Sequence, residues 1–385
     1  MAAPFSNRVC EQPIMKYYII AGEASGDLHG ANLIGALQHA DPLTEVRCWG
    51  GDSMAQRGAT LVKHYRDLAF MGFVEVVQNL PTILRNLAFC KKDILAYQPD
   101  ALILIDYPGF NLRIAKWARK QGLRVVYYIS PQIWAWNSRR VHAIKAHVDQ
   151  MYVILPFEAE FYARYDYPVT FVGHPLLDVI DQYQSTGSFR QQYNLSQDQP
   201  LVALLPGSRR QEISHMLPTM LAIVPRFPGH QFVVAGAPSI PESFYQSIFQ
   251  EAGCFPQLLS EQTYRLLANA DAALVTSGTA TLETALFDVP EVVCYRGSTL
   301  SYHIARRLVN VRFISLVNLV LDRQLVTELI QHDYRPDRLT TELRALFQPE
   351  RRQYIQAGYQ QLKEKLGHAG ASRRVAQHLL NWLNT

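Results

Sequence analysis

Asp106 ends an apolar run, Ala101-Leu102-Ile103-Leu104-Ile105, where a charge is costly unless it is paired or used. Partial burial raises the proton affinity of such a carboxylate and suits it to take a proton from a substrate hydroxyl. Capping the next helix is the plainer role open to it. Two later loops carry the chemistry of anion binding. Leu205-Pro206-Gly207-Ser208-Arg209 offers backbone N–H groups, a hydroxyl and a guanidinium, with Glu212 beyond, a set that suits a diphosphate. Thr276-Ser277-Gly278-Thr279 places hydroxyls at a helix start, and Glu283 shares a face with Thr279, where it can take both hydroxyls of a ribose. Either loop alone also fits a capped turn; two in one half favour a nucleotide.

Three further groups of residues sit in similar places. The loop Gly22-Glu23-Ala24-Ser25-Gly26-Asp27 allows close backbone approach to a ligand, although Glu23 and Asp27 suit sugar hydroxyls better than phosphate. A tight turn with a helix cap explains the loop equally well. Trp134 and Trp136, followed by Arg139, Arg140 and His142, form either a wall for a sugar or acyl chain or ordinary core filling. His29 and His174 are the other titrating groups in such loops, and a lone histidine is more often structural.

Short β-branched and aromatic runs alternate with helical periodicities, which implies parallel sheets covered on both faces. Strands are expected over 17–21, 101–106, 124–130, 150–155, 169–172, 201–205, 231–235, 272–276 and 291–295. The polar stretch 182–200 reads as a connection, so the expected division is a first α/β domain over 1–181, a linker over 182–200 and a second domain over 201–355. A helical segment over 356–385 closes the structure by packing back on the first domain. In open parallel sheets ligands bind outside the carboxyl ends of the strands, which is where all these loops fall.

With 385 residues, 48% hydrophobic and 18% charged, the chain has material for two packed cores. A net charge of +4 is too mild for nucleic acid but does not repel an anionic membrane or a phosphorylated substrate. Five dispersed cysteines without a C-x-x-C pair read as thiols in a reducing compartment. The first fourteen residues lack a secretory apolar run, and residues 1–15 are given no function. No uncharged apolar stretch reaches the roughly 18–20 residues of a spanning helix. Residues 68–80 (LAFMGFVEVVQNL), with Arg85, Lys91 and Lys92 nearby, fit either a lipid-contacting surface or a buried amphipathic helix. P-loop, G-x-G-x-x-G, G-x-S-x-G, H-E-x-x-H and D-x-D motifs are all missing, so arginine and helix dipoles must stabilise any diphosphate leaving group without a metal.

The blocks AGEASGDLHGANL, ILIDYPGFN, YYISPQIWAWNSRR, FVGHPLLD, LPGSRRQE and SGTATLE, in this order, resemble lipid-A-disaccharide synthases from about Tyr17 to about Gln331. The resemblance implies the two-domain GT-B architecture, with two Rossmann-like domains facing across a cleft. It also implies an inverting transfer of 2,3-diacylglucosamine from UDP to the 6-hydroxyl of 2,3-diacylglucosamine 1-phosphate, with no cofactor or metal. An enzyme of this kind works in the cytoplasm, at the inner face of the cytoplasmic membrane. Carried over by position, Asp106 is the base. Gly207, Ser208, Arg209, Ser277, Gly278, Thr279, Glu283, Asn318 and Gln331 are on the donor side. Glu23, Ser25, Asp27 and Trp134 are on the acceptor side. Gly109 stands where many members have a second acid. The rival readings are a UDP-N-acetylglucosamine 2-epimerase, an undecaprenyl-linked glucosaminyl transferase and a non-catalytic UDP-sugar- or lipid-binding protein.

Overall fold

A computed structural model describes residues 14–67, 80–181, 183, 187, 189–297 and 311–385. The lipid-contact expectation for 68–80 therefore lies outside the described residues, except for Leu80. Among the described residues there are thirteen strands. Those of the first half are β1 (Lys16–Ala21), β2 (Glu45–Gly50), β3 (Thr60–His64), β4 (Ala101–Ile105), β5 (Val125–Tyr128), β6 (Gln150–Val153) and β7 (Thr170–Phe171). The second half holds β8 (Leu201–Leu205), β9 (Gln231–Gly236), β10 (Gln257–Ser260), β11 (Ala272–Thr276), β12 (Glu291–Tyr295) and β13 (Thr327–Ile330). They form two wholly parallel sheets, ordered β3-β2-β1-β4-β5-β6-β7 and β10-β9-β8-β11-β12-β13. This is the two-sheet α/β architecture expected from the alternation of runs.

The central strands are buried throughout, as runs such as ALILI, LVALL and AALVT require of strands covered by helices on both faces. In each sheet the order reverses at one place, between β1 and β4 in the first and between β8 and β11 in the second. A crevice opens at such a reversal, because the connections on its two sides leave over opposite faces of the sheet. Glu23 and Asp106 follow β1 and β4; Gly207–Arg209 and Ser277–Thr279 follow β8 and β11. The topology thus gathers four of the chemically interesting loops at two crevices.

The chain ends in two helices. Pro349–Leu366 packs on the second half, where Tyr359 donates to the Val289 carbonyl at 3.1 Å and Lys363 pairs with Asp288. Ala371–Leu383 lies against the first helix, Ala24–Ala40. The Asp178 carboxylate accepts from the Gly370, Ala371 and Ser372 N–H groups at its start. A carboxylate there satisfies free N–H donors and complements the helix dipole.

Candidate active site

Asp106 and Tyr107 both adopt left-handed backbone angles (φ +43° and +48°), and Ile129, on the neighbouring loop, does the same at +66°. Each such residue costs on the order of 1–3 kcal/mol and persists only where its surroundings over-determine it, as they do here. Asn111 donates to the Asp106 carbonyl at 2.8 Å and to the Ile105 carbonyl at 3.2 Å, and the Tyr127 hydroxyl also donates to the Asp106 carbonyl. The Asp106 N–H donates to the Ile129 carbonyl at 3.3 Å. Gly22 completes the cradle, since a Cβ there would stand 2.3 Å from the Tyr107 ring. Burial, and then the nearby Glu23 carboxylate, push the Asp106 carboxyl up to about 7, against a smaller opposing hydrogen bond from the Tyr107 N–H. A carboxylate tuned to that range is a competent general base near neutral pH.

Glu23 sits in extended conformation just before the first helix, with no cap hydrogen bond from its side chain. Its carboxylate lies 3.9 Å from the Arg209 guanidinium, both side chains being about half exposed. This pair joins the β1 loop of one half to the β8 loop of the other, so the two crevices face each other. Ser25 is exposed beside it.

Asp27 is placed otherwise than expected. It is buried, and its oxygens accept from the N–H groups of Gly51 at 2.7 Å, Ser53 at 3.0 Å and Met54 at 3.2 Å. It straps the end of β2 to the first helix and is not turned to a ligand. The histidines are buried as well: burial lowers His29 to about 4, and burial with the His29 charge lowers His174 to about 3. Neither has the proton affinity of a useful base at neutral pH.

In the second half, Gly207 has φ +120° and lies so close to Glu212 that a Cβ would meet it at 2.7 Å. Glu212 accepts from the Ser208 and Arg209 N–H groups at 3.0 and 3.3 Å and pairs with the Arg209 side chain at 3.1 Å. The diphosphate-type loop is thus held open by an internal carboxylate that an anion would have to displace. Across the crevice, Ser277 donates to the Ile314 carbonyl at 2.9 Å, Gly278 leads into the helix Thr279–Leu286, and Glu283 accepts from the Tyr264 hydroxyl at 2.8 Å. Burial raises the Glu283 carboxyl.

Asn318 departs from its expected role. It is fully buried, accepts from the Leu325 and Val326 N–H groups at 2.8 and 3.1 Å, and donates to the Val326 carbonyl and Glu328 at 2.9 and 2.8 Å. No ligand-binding capacity remains; it fastens the helix Leu316–Leu321 to β13. Gln331 follows β13, and its amide lies 3.3 Å from the Gly297 backbone. Trp134 donates to Glu158 at 3.2 Å, so its indole is tied into the loop. Glu158, buried and pushed up to about 7 by that burial, and Tyr264 both escaped the sequence reading; nothing in their local sequence marks them. Among the described residues, no cluster of histidine, cysteine or carboxylate side chains could hold a metal.

Comparison with known proteins bears on the family and the fold. A lipid-A-disaccharide synthetase family model matches residues 17–381. The chain is 43% identical to the lipid-A-disaccharide synthase of Syntrophus aciditrophicus over 93% of this chain and 95% of that one. It is 39% identical to that of Myxococcus xanthus, over 95% and 97%. Among solved structures, a UDP-GlcNAc 2-epimerase from Neisseria meningitidis bound to UDP-GlcNAc superposes with a TM-score of 0.68 at 12% identity, over 95% of this chain and all of the other. The glycotransferase of kitacinnamycin does so at 0.64 and 12% identity, over 97% of this chain and all of the other. At such identities the likeness is one of fold, the two-domain scaffold shared by GT-B transferases and these epimerases, and it does not favour the epimerase reading. The family match over nearly the whole chain and the close curated relatives together establish that this chain belongs to the lipid-A-disaccharide synthetase family.

Proposed function

We propose that the protein transfers 2,3-diacylglucosamine from UDP to the 6-hydroxyl of 2,3-diacylglucosamine 1-phosphate, giving the β-1,6-linked disaccharide 1-phosphate and UDP. The observation that carries this reading is the approach of Glu23 to Arg209, which sets the base side against the diphosphate side of one cleft. Asp106 takes the proton of the 6-hydroxyl as that oxygen attacks the donor's anomeric carbon. The bond from that carbon to the UDP oxygen breaks on the opposite face, so the configuration inverts. Arg209, the N–H groups of Ser208 and Arg209, and the start of the helix Thr279–Leu286 receive the negative charge left on UDP. Glu283 takes the ribose, Ser277, Gly278 and Gln331 complete the donor side, and Ser25 and Trp134 border the acceptor.

This assignment makes 1–181 the acceptor domain and 201–355 the donor domain, joined by 182–200. Of the closing segment, Ala371–Leu383 braces the first domain while the helix ending at Leu366 packs on the second. It also places the enzyme on the inner face of the cytoplasmic membrane. The helix Leu80–Tyr97 supports that contact, since it exposes Leu80, Leu84, Phe89 and Leu95 beside Arg85 and Lys92. No described helix is long and apolar enough to cross a membrane.

The test is purified protein with both substrates and a chelator, followed by mass spectrometry. Disaccharide and UDP in equal amounts are expected. UDP release without disaccharide would overturn the acceptor assignment, and consumption of UDP-N-acetylglucosamine alone would restore the epimerase.

A further inference from the structure

The loop 129–140 after β5 carries a cation that the mechanism above leaves unused. The guanidinium of Arg140 lies 4.6 Å from the centroid of the exposed Trp136 ring. Among the described residues, neither Arg139 nor Arg140 is in an ion pair, and the Arg140 charge reaches the buried Tyr127 hydroxyl, whose proton it loosens slightly against the larger effect of burial. That hydroxyl is the one bonded to the Asp106 carbonyl, so Arg140 stands on the same side of the cleft as the base.

The loop is fastened well enough to hold a side chain in place. It is tied to the base loop where the Asp106 N–H meets the Ile129 carbonyl. Ser130 pairs with the Tyr162 hydroxyl at 2.8 Å, Trp134 with Glu158 at 3.2 Å, and the Arg140 N–H with the Asn137 carbonyl at 3.1 Å. A guanidinium resting on an indole keeps its charge and most of its donors for a planar or tetrahedral oxyanion. Arg209 is already committed, to Glu212 and Glu23 within the protein and to the diphosphate in the reaction.

We infer that Arg140, on its Trp136 platform, binds the anomeric phosphate of the acceptor and so selects the phosphorylated monosaccharide over its neutral counterpart. The inference rests on the acceptor assignment proposed above. It gives a use to an arginine without a carboxylate partner at the carboxyl end of the strand beside the base. Two anionic substrates then meet two separate cations, one from each half of the protein.

The experiment compares 2,3-diacylglucosamine 1-phosphate with the same acceptor lacking the phosphate, using wild type, Arg140→Ala and Arg140→Lys. For Arg140→Ala, kcat/KM for the phosphorylated acceptor is expected to fall by about 10- to 100-fold, the usual loss for a charged hydrogen-bonding partner. The rate with the neutral acceptor and the KM for the donor stay unchanged, and Arg140→Lys recovers part of the loss. Equal loss on both acceptors, or no loss on either, would overturn the inference, and the unchanged neutral-acceptor rate guards against a misfolded variant. If wild type makes disaccharide from neither acceptor, the acceptor assignment itself fails and takes the inference with it.

Discussion

Glu23→Gln is expected to move the acid limb of the pH–rate profile toward lower pH. Asp106 acts as a base only when ionised, and its carboxyl stands at about 7 against an ordinary 3.8. In wild type, kcat/KM therefore falls about tenfold for each pH unit below 7, while it is flat above. Burial is the larger cause of the raised value and Glu23 the second, so removing the Glu23 charge lowers the midpoint without returning it to 3.8. Glu23 is half exposed and partly neutralised by Arg209, which holds its share to about 0.5–1 pH unit. A midpoint lowered by that amount raises the ratio of kcat/KM at pH 6 to that at pH 8 by about 2.5- to 5-fold over wild type. A weaker base also lowers the plateau by about two- to threefold, so the ratio is the quantity to read. The assay is UDP release from pH 5 to 9 at constant ionic strength. A wild-type profile still flat at pH 5, or a Glu23→Gln midpoint that stays put or rises, would refute the electrostatic argument.

Asn318→Ala should cost about 3 kcal/mol or more in urea unfolding, because it strands several buried polar groups, while the donor KM of the folded fraction stays within about twofold. Gly22→Ala should displace Tyr107 and with it Asp106. Unfolding measurements should show a loss of about 1–3 kcal/mol, and kcat should fall more than the donor affinity does. Asp106→Gly should abolish turnover yet unfold at higher urea, by about 1 kcal/mol, since glycine accepts φ +43° without strain; a less stable variant would show that the strained backbone is not a stored cost.

Much of this arrangement could be read from the sequence, for a physical reason. β8, β11 and β12 are continuous apolar runs between turns, and their ends agree with the expected 201–205, 272–276 and 291–295. β2, β3, β10 and β13 were not expected. Arg47 interrupts β2, and the other three are short, partly exposed strands toward the sheet edges, which have no need of a solid apolar run. The closing segment is two helices, not one, because Gly367 and Gly370 take φ +88° and +99° between them. Asp106 was legible because a charge at the end of an apolar strand is anomalous in one dimension. Asp27 and Asn318 look equally anomalous in sequence, but their partners come from 24–27 and 7–10 residues away and satisfy them.

What separates these two kinds of polar residue is the count of their unsatisfied valences once the chain has folded. Asp27 spends its acceptors on backbone N–H groups, and Asn318 spends its valences on backbone groups and the Glu328 carboxylate, so they add rigidity. Asp106 gives its main-chain groups to the frame and keeps its carboxylate in a partly buried site beside another negative charge, where the cost of ionisation is raised. The same frame that strains its backbone supplies that destabilised charge. Proton affinity and strain at this position are therefore two consequences of one packing arrangement, and a change that relaxes either should weaken the base.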